Sequence, residues 1–211
     1  MVETLIFGNW SAFGGPLRFL TIWALVLSFA CGGAMLARSL GRTTRRFDGI
    51  VSATAVINVM VVILYWRIYL SDPTAMRSDG QQVIWWREYY LHGLGPMLQW
   101  IDATLIHRSF RRLGSATAWL VGLIVAYLSW AELLVQPRND SPAGSVTSGL
   151  PYPFLNDLAF DARIEFYVTN LAVGILLLGI FAAIAFGARR IAGPEAPAAP
   201  AGAGRKILNK T

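Results

Sequence analysis

The chain has 211 residues, of which 55% are hydrophobic and only 14% charged, where a soluble domain carries about 25% charged residues. That balance excludes an ordinary soluble domain and describes an all-α polytopic membrane protein. The net charge of +6 comes from basic residues gathered in short loops between apolar stretches. This is a pattern of membrane topology, with anionic headgroups as sufficient partners, and not of nucleic-acid binding.

Five spans are predicted. The first, 16–36, opens in Gly14-Gly15-Pro16-Leu17-Arg18-Phe19-Leu20-Thr21. Pro16 suits a first helical turn, and Arg18 can snorkel to the interface. Residues 1–16 contain Glu3 and no basic n-region, so no cleavable leader is expected. Cys31, the single cysteine, excludes an intrachain disulfide and a Cys-based zinc site, and reads as a small apolar filler. A basic loop with Arg38, Arg42, Arg45 and Arg46 leads to the second span, 47–70, which holds Asn58 near its middle and Tyr65-Trp66 at its far end.

A polar loop, 71–82, carries the turn signals Asp72-Pro73 and Asp79-Gly80. The third span, 83–106, begins at an aromatic pair, Trp85-Trp86, and contains His92, Gly93, Gly95, Pro96 and Asp102; it exits through His107, Arg108, Arg111 and Arg112. An ionisable residue at membrane depth is costly and marks a candidate functional site. The fourth span, 116–135, holds Glu132 near its end. A long Pro/Gly/Ser-rich loop, 136–162, closes in Gly149-Leu150-Pro151-Tyr152-Pro153-Phe154-Leu155. The fifth span, 164–186, is the most uniformly apolar, and an Ala/Pro/Gly-rich tail, 191–211, is expected to be disordered. Residues 1–190 form a single transmembrane domain.

Orientation follows from the basic residues. The loops after spans one and three and the C-terminal tail hold 12 of the 18 Lys and Arg. Five spans then put the N-terminus outside and the C-terminus in the cytoplasm, with a bacterial inner membrane as the expected location. In this topology Thr21 and His92 both lie on the order of 5–12 Å inside the outer boundary, at 1.5 Å per helical residue. Glu132 and the Pro-rich loop fall on the same side. A hydroxyl, an imidazole, a carboxylate and a potential lid thus share one layer.

Three of these stretches carry a resemblance. The Gly14–Thr21 run, Leu91-His92-Gly93-Leu94-Gly95-Pro96, and Pro151-Tyr152-Pro153-Phe154-Leu155 followed by Asp161-Ala162-Arg163-Ile164 resemble, in the same order, motifs of the androgen-induced integral membrane protein family. Its characterised animal members hydrolyse fatty-acid esters of hydroxy fatty acids with an intramembrane threonine nucleophile and a histidine partner. The resemblance places the threonine on Thr21 and the histidine on His92, implies a lipid-ester substrate drawn from the membrane, and requires no cofactor.

Each candidate has a plainer counterpart. Thr21 needs a base within hydrogen-bond reach to act as a nucleophile, and histidine is suited to that task; otherwise its hydroxyl back-bonds to the carbonyl four residues earlier. Pro96 cannot donate to the carbonyl of His92 and tends to kink the helix. With Gly93 and Gly95 it either opens a pocket whose freed backbone groups serve an ester oxyanion, or allows close helix packing. Glu132 either orients His92 as a third catalytic group or pairs with Arg67 or Arg87. Asp102 lies about 15 Å along the helix from His92 and reads as structural glue with Asn58 or inner arginines. Thr54 lies too deep to rival Thr21, and His107 reads as an inner-interface residue. The two histidines cannot share a metal, so no metal site is expected. Tyr152 and Phe154 either shape an acyl groove or anchor the interface.

Two functions therefore remain open. One is a lipid-ester hydrolase; the other is a non-catalytic subunit packing against a membrane-protein partner or binding lipid. The Thr21–His92 separation discriminates between them, since a distance near 3 Å permits proton transfer and one beyond about 8 Å does not.

Overall fold

A computed structural model describes residues 10, 12–71, 85–139 and 149–192. The predicted polar loop after Ser71, the middle of the Pro-rich loop and the tail beyond 192 lie outside the described residues. Among those described, the fold is all helical. A 3-10 turn, Gly15–Arg18, precedes α1 (Leu20–Ser39), and α2 (Asp48–Ser71) follows. The third segment is continuous over 85–106 but changes pitch repeatedly: α3 (Trp85–Tyr89), a π turn (Tyr90–Leu94), α4 (Gly95–Ile101) and a second π turn (Asp102–Ile106). Next come α5 (Leu113–Trp130) with a π turn (Ala131–Val135) and a 3-10 turn (Gln136–Arg138), the short α6 (Pro153–Asn156), and α7 (Phe160–Ala192).

Among the described residues, four helices are long and apolar enough to cross a membrane: Leu20–Ser39, Asp48–Ser71, Leu113–Arg138 and Phe160–Ile191. Their outward residues include Phe29, Leu176, Val168 and Leu133, exposed by 61–72%, as expected where lipid rather than water is the neighbour. The predicted third span is the segment that departs from regular α-helix. The bundle is arranged around α2. In its most apolar window 61% of residues are buried, against 28% in α1 and α5 and 22% in α7, and it packs against α1, α4, α5 and α7. Small residues allow this. Val51, Ser52, Ala53, Thr54 and Ala55 are all buried, and a Cβ on Gly49 would collide with Ser115 Oγ. Without an apolar–water driving force between helices, such close backbone approach is what dispersion requires.

Several polar side chains inside the bundle are paired. Asn58, one of the two partners offered for Asp102, donates instead to Ser28 Oγ (2.8 Å) and to the Thr54 carbonyl (2.9 Å). Thr54 lies 3.5 Å from Cys31 Sγ. At the opposite end from Thr21, His107 is buried against the basic loop. Its Nε2 sits 2.9 Å from the Arg46 carbonyl and 3.6 Å from Asp48, because the backbone turns sharply through Arg108 at φ 54° and folds the loop against the start of α2.

The N-terminal approach also differs from expectation. Gly14 (φ 84°) and Gly15 (φ 46°) turn the chain over the end of the bundle. Pro16 therefore stands in a separate 3-10 turn, and α1 begins only after extended Phe19. The same turn carries Arg18 inward: it is 2% exposed, stacked on Phe19 with 5.1 Å to the ring centroid, and does not snorkel.

Candidate active site

Thr21 stands in the first turn of α1, and this position decides what its hydroxyl can reach. The chain before it is not α-helical, so the carbonyl four residues back, Leu17 O, does not stack beneath Thr21; it accepts the indole N–H of Trp23 at 2.8 Å. Hydroxyls further along helices do back-bond: Ser28 to Ala24 O at 2.7 Å, Ser39 to Met35 O at 3.1 Å and Ser71 to Arg67 O at 2.8 Å. Thr21 Oγ1 instead faces His92 Nε2 at 3.5 Å, across 71 residues of sequence. That is about 0.3 Å beyond the usual reach of a general base, a gap common before substrate binds.

His92 is 6% exposed, and three residues hold it. Its ring lies flat on Tyr65, centroids 3.6 Å apart and planes 2° from parallel. Its Nδ1 is 3.2 Å from Glu88 Oε2, with the carboxylate off the ring N–H direction, a close polar contact rather than a well-aligned hydrogen bond. Its carbonyl accepts the indole N–H of Trp66 at 2.8 Å. The reason for the last contact lies four residues on. Pro96 has no N–H to give to His92 O, so the helix widens. Gly95 N–H reaches back five residues to Tyr90 O, and His92 leaves helical geometry at φ −113°, ψ 22°.

This corrects the expectation for Pro96. The freed backbone group is a carbonyl, which can only accept a hydrogen bond and so cannot stabilise an oxyanion; moreover, Trp66 already occupies it. Trp66→Phe would leave that carbonyl unsatisfied. It is expected to cost about 1–3 kcal/mol, seen as a lower midpoint for thermal unfolding in detergent, with Trp66→His as the donor-retaining control.

Glu132 does not orient His92. Its carboxylate takes Arg163 (Nε 3.0 Å, Nη2 3.3 Å) and the Tyr167 hydroxyl (2.6 Å). The ion pair anticipated for it forms, but across to α7 rather than with Arg67 or Arg87. Tyr152 does come to the site. Its hydroxyl accepts the Leu20 N–H at 3.3 Å, capping the helix that carries Thr21, and its ring packs edge-on against Phe19. Phe154 continues this wall to Phe166 on α7, centroids 5.3 Å apart. The loop that bears both is pinned by Asn156, which accepts from Leu150 N–H at 2.8 Å and donates to Leu150 O at 3.0 Å. Asn139 ties it to the N-terminal turn through Phe13.

Thr21, His92, Gly95, Pro96, Tyr152 and Phe154 therefore converge on one end of the bundle. The family model described as FAR-17a/AIG1-like protein matches residues 3–185. The chain belongs to this family. No curated protein and no solved structure matches it. This FAR-17a/AIG1-like protein is an integral membrane protein, as its apolar helices require.

Sequence reasoning missed Glu88, Tyr65 and Trp66. Glu88 stands four residues before His92, the spacing at which helix side chains meet, and was legible as such. Tyr65 and Trp66 read as interface aromatics; only the packing of α2 against the π turn makes them the floor and latch of the histidine. Among the described residues no cluster of three or more His, Cys, Asp or Glu could hold a metal.

Proposed function

We propose that this FAR-17a/AIG1-like protein is a lipid-ester hydrolase acting on fatty-acyl esters, with Thr21 as nucleophile and His92 as general base. The observation that carries the reading is that the Thr21 hydroxyl forgoes a helix back-bond and faces an imidazole nitrogen. In the first step Thr21 Oγ1 attacks the acyl carbonyl carbon while its proton passes to His92 Nε2. His92 then protonates the departing alkoxide, leaving an acyl-threonine. Water, deprotonated by the same nitrogen, attacks that ester; the fatty acid leaves and Thr21 is regenerated.

The oxyanion of each tetrahedral intermediate needs donors. The leading amides of a helix have no carbonyl one turn back. In α1 the Leu20 amide is taken by Tyr152 and the Ile22 amide by the Phe19 carbonyl. Among the described contacts this leaves the Thr21 amide for the oxyanion, aided by the positive end of the helix dipole. The aromatic wall of Phe19, Tyr152 and Phe154 suits an acyl chain. With five spans and the N-terminus outside, the site draws its ester from the outer leaflet of a bacterial inner membrane; fatty-acid esters of hydroxy fatty acids are the substrate class that the motif resemblance favours.

The test is covalent. An alkyl fluorophosphonate added to the purified protein in detergent is expected to phosphonylate Thr21, located by peptide mass spectrometry. A probe adduct confined to other residues, or none at millimolar probe, would refute the mechanism.

A further inference from the structure

The His92 ring must solve a problem that the Thr21 contact alone does not. Neutral imidazole has two tautomers, and only the one protonated on Nδ1 leaves the Nε2 lone pair free to take the Thr21 proton. Something must select it. A carboxylate only accepts hydrogen bonds, so one placed at Nδ1 favours a proton there. Glu88 Oε2 is that group, 3.2 Å away. Glu88 is itself held: its side chain is 18% exposed and Arg87 Nε lies 3.5 Å from its other oxygen. Tyr65 stacks flat on the imidazole while Glu88 faces the imidazole edge.

We propose that Glu88 is the positioning residue that holds His92, stacked on Tyr65, in the Nδ1–H tautomer with Nε2 turned to Thr21. The inference rests on the hydrolase reading for its consequence in turnover, though not for its geometry. When Thr21 gives up its proton the ring becomes an imidazolium lying between an acyl adduct and a carboxylate. The Glu88 carboxylate, 3.2 Å from Nδ1, is placed to balance that charge. Glu132, the other carboxylate at this end of the bundle, is spent on Arg163 and Tyr167.

The chain has two histidines, which makes the tautomer directly readable. In protein labelled with ¹⁵N-histidine and held in lipid nanodiscs, the His92 signals are those lost in His92→Ala. Wild type is expected to show a protonated Nδ1 and an unprotonated Nε2; Glu88→Ala is expected to show both tautomers, and Glu88→Asp to restore part of the wild-type pattern. In parallel, hydrolysis of p-nitrophenyl butyrate is expected to fall on the order of 10²–10⁴-fold in kcat for Glu88→Ala with KM little changed, as when the carboxylate of a catalytic triad is lost.

An Nε2–H tautomer in wild type, a quantity that needs no variant to fold, would overturn the proposal. So would an unchanged tautomer and unchanged kcat in Glu88→Ala while Thr21→Ala and His92→Ala are inactive. If those two variants are as active as wild type, it is the hydrolase reading that fails, and the tautomer measurement still decides the role of Glu88.

Discussion

Thr21→Ala and His92→Ala are each expected to lower ester hydrolysis by about 10³-fold or more, and the double variant is expected to be no worse than either alone. The reason is that the two residues act as one unit. Without the hydroxyl, the imidazole has no nucleophile to activate; without the imidazole, a threonine hydroxyl is almost wholly protonated at neutral pH and attacks poorly. The 3.5 Å contact bridges α1 and the π turn of the third segment, so the losses must be separated from unfolding. Neither residue is a large core filler, and thermal midpoints within a few degrees of wild type are the expected companion result. Thr21→Ser is the informative control. It keeps the hydroxyl at the same point of the first turn and is expected to retain much of the activity, whereas a purely structural role for the Thr21 methyl group would make serine and alanine equally harmful. Initial rates on p-nitrophenyl butyrate in mixed micelles, with the double variant in the same series, measure all of these. Additive losses in the double variant would mean that the two side chains work at separate steps.

Glu132→Ala is expected to have the largest effect on stability and little direct effect on chemistry. The carboxylate lies between Arg163 and Tyr167 with both charged partners 14% exposed. Removing it strands a guanidinium in a low-dielectric setting, at an expected cost of about 3 kcal/mol. Arg163 otherwise contacts the Leu158 carbonyl and the face of Phe160, neither of which supplies a counter-charge. Glu132→Ala should therefore melt well below wild type in detergent, while the fraction that remains folded still reacts with a fluorophosphonate at Thr21. Combining it with Arg163→Leu should recover much of the loss, because the second change removes the orphaned charge. A Glu132→Ala protein that is stable but inert would instead place this carboxylate in the reaction.

The two carboxylates show how sequence and structure divide the problem. Glu132 and Glu88 both belong to the His92 end of the bundle, and order along the chain offered no way to rank them. Glu88 had the better local argument, since four residues of helix separate it from His92 and side chains so spaced meet. Glu132 was assigned to the wrong partner because Arg163 was not recognisable as its neighbour: α7 extends back to Phe160, one turn before the predicted start at 164, and brings Arg163 beside α5. Arg18 failed for a related reason. Snorkelling is a property of a side chain on a helix that points at the headgroups, and two left-handed glycines turn this one into the bundle instead.

The sequence by itself determined the chemistry class of the molecule: a run of apolar segments that can only be helices in lipid, basic loops between them, and the short motifs that place Thr21 and His92 among the residues to watch. Local rules even foretold the irregularity at Pro96, because a missing N–H four residues after His92 is a property of the chain alone. Only the tertiary structure decided what that irregularity is for. The carbonyl it frees is latched by Trp66 and the ring it displaces lies on Tyr65; both come from the far end of α2, a helix whose apolar sequence shows no preferred face. Which side of such a helix meets the histidine is set by how its neighbours pack against it, a property of pairs of surfaces that no single segment encodes.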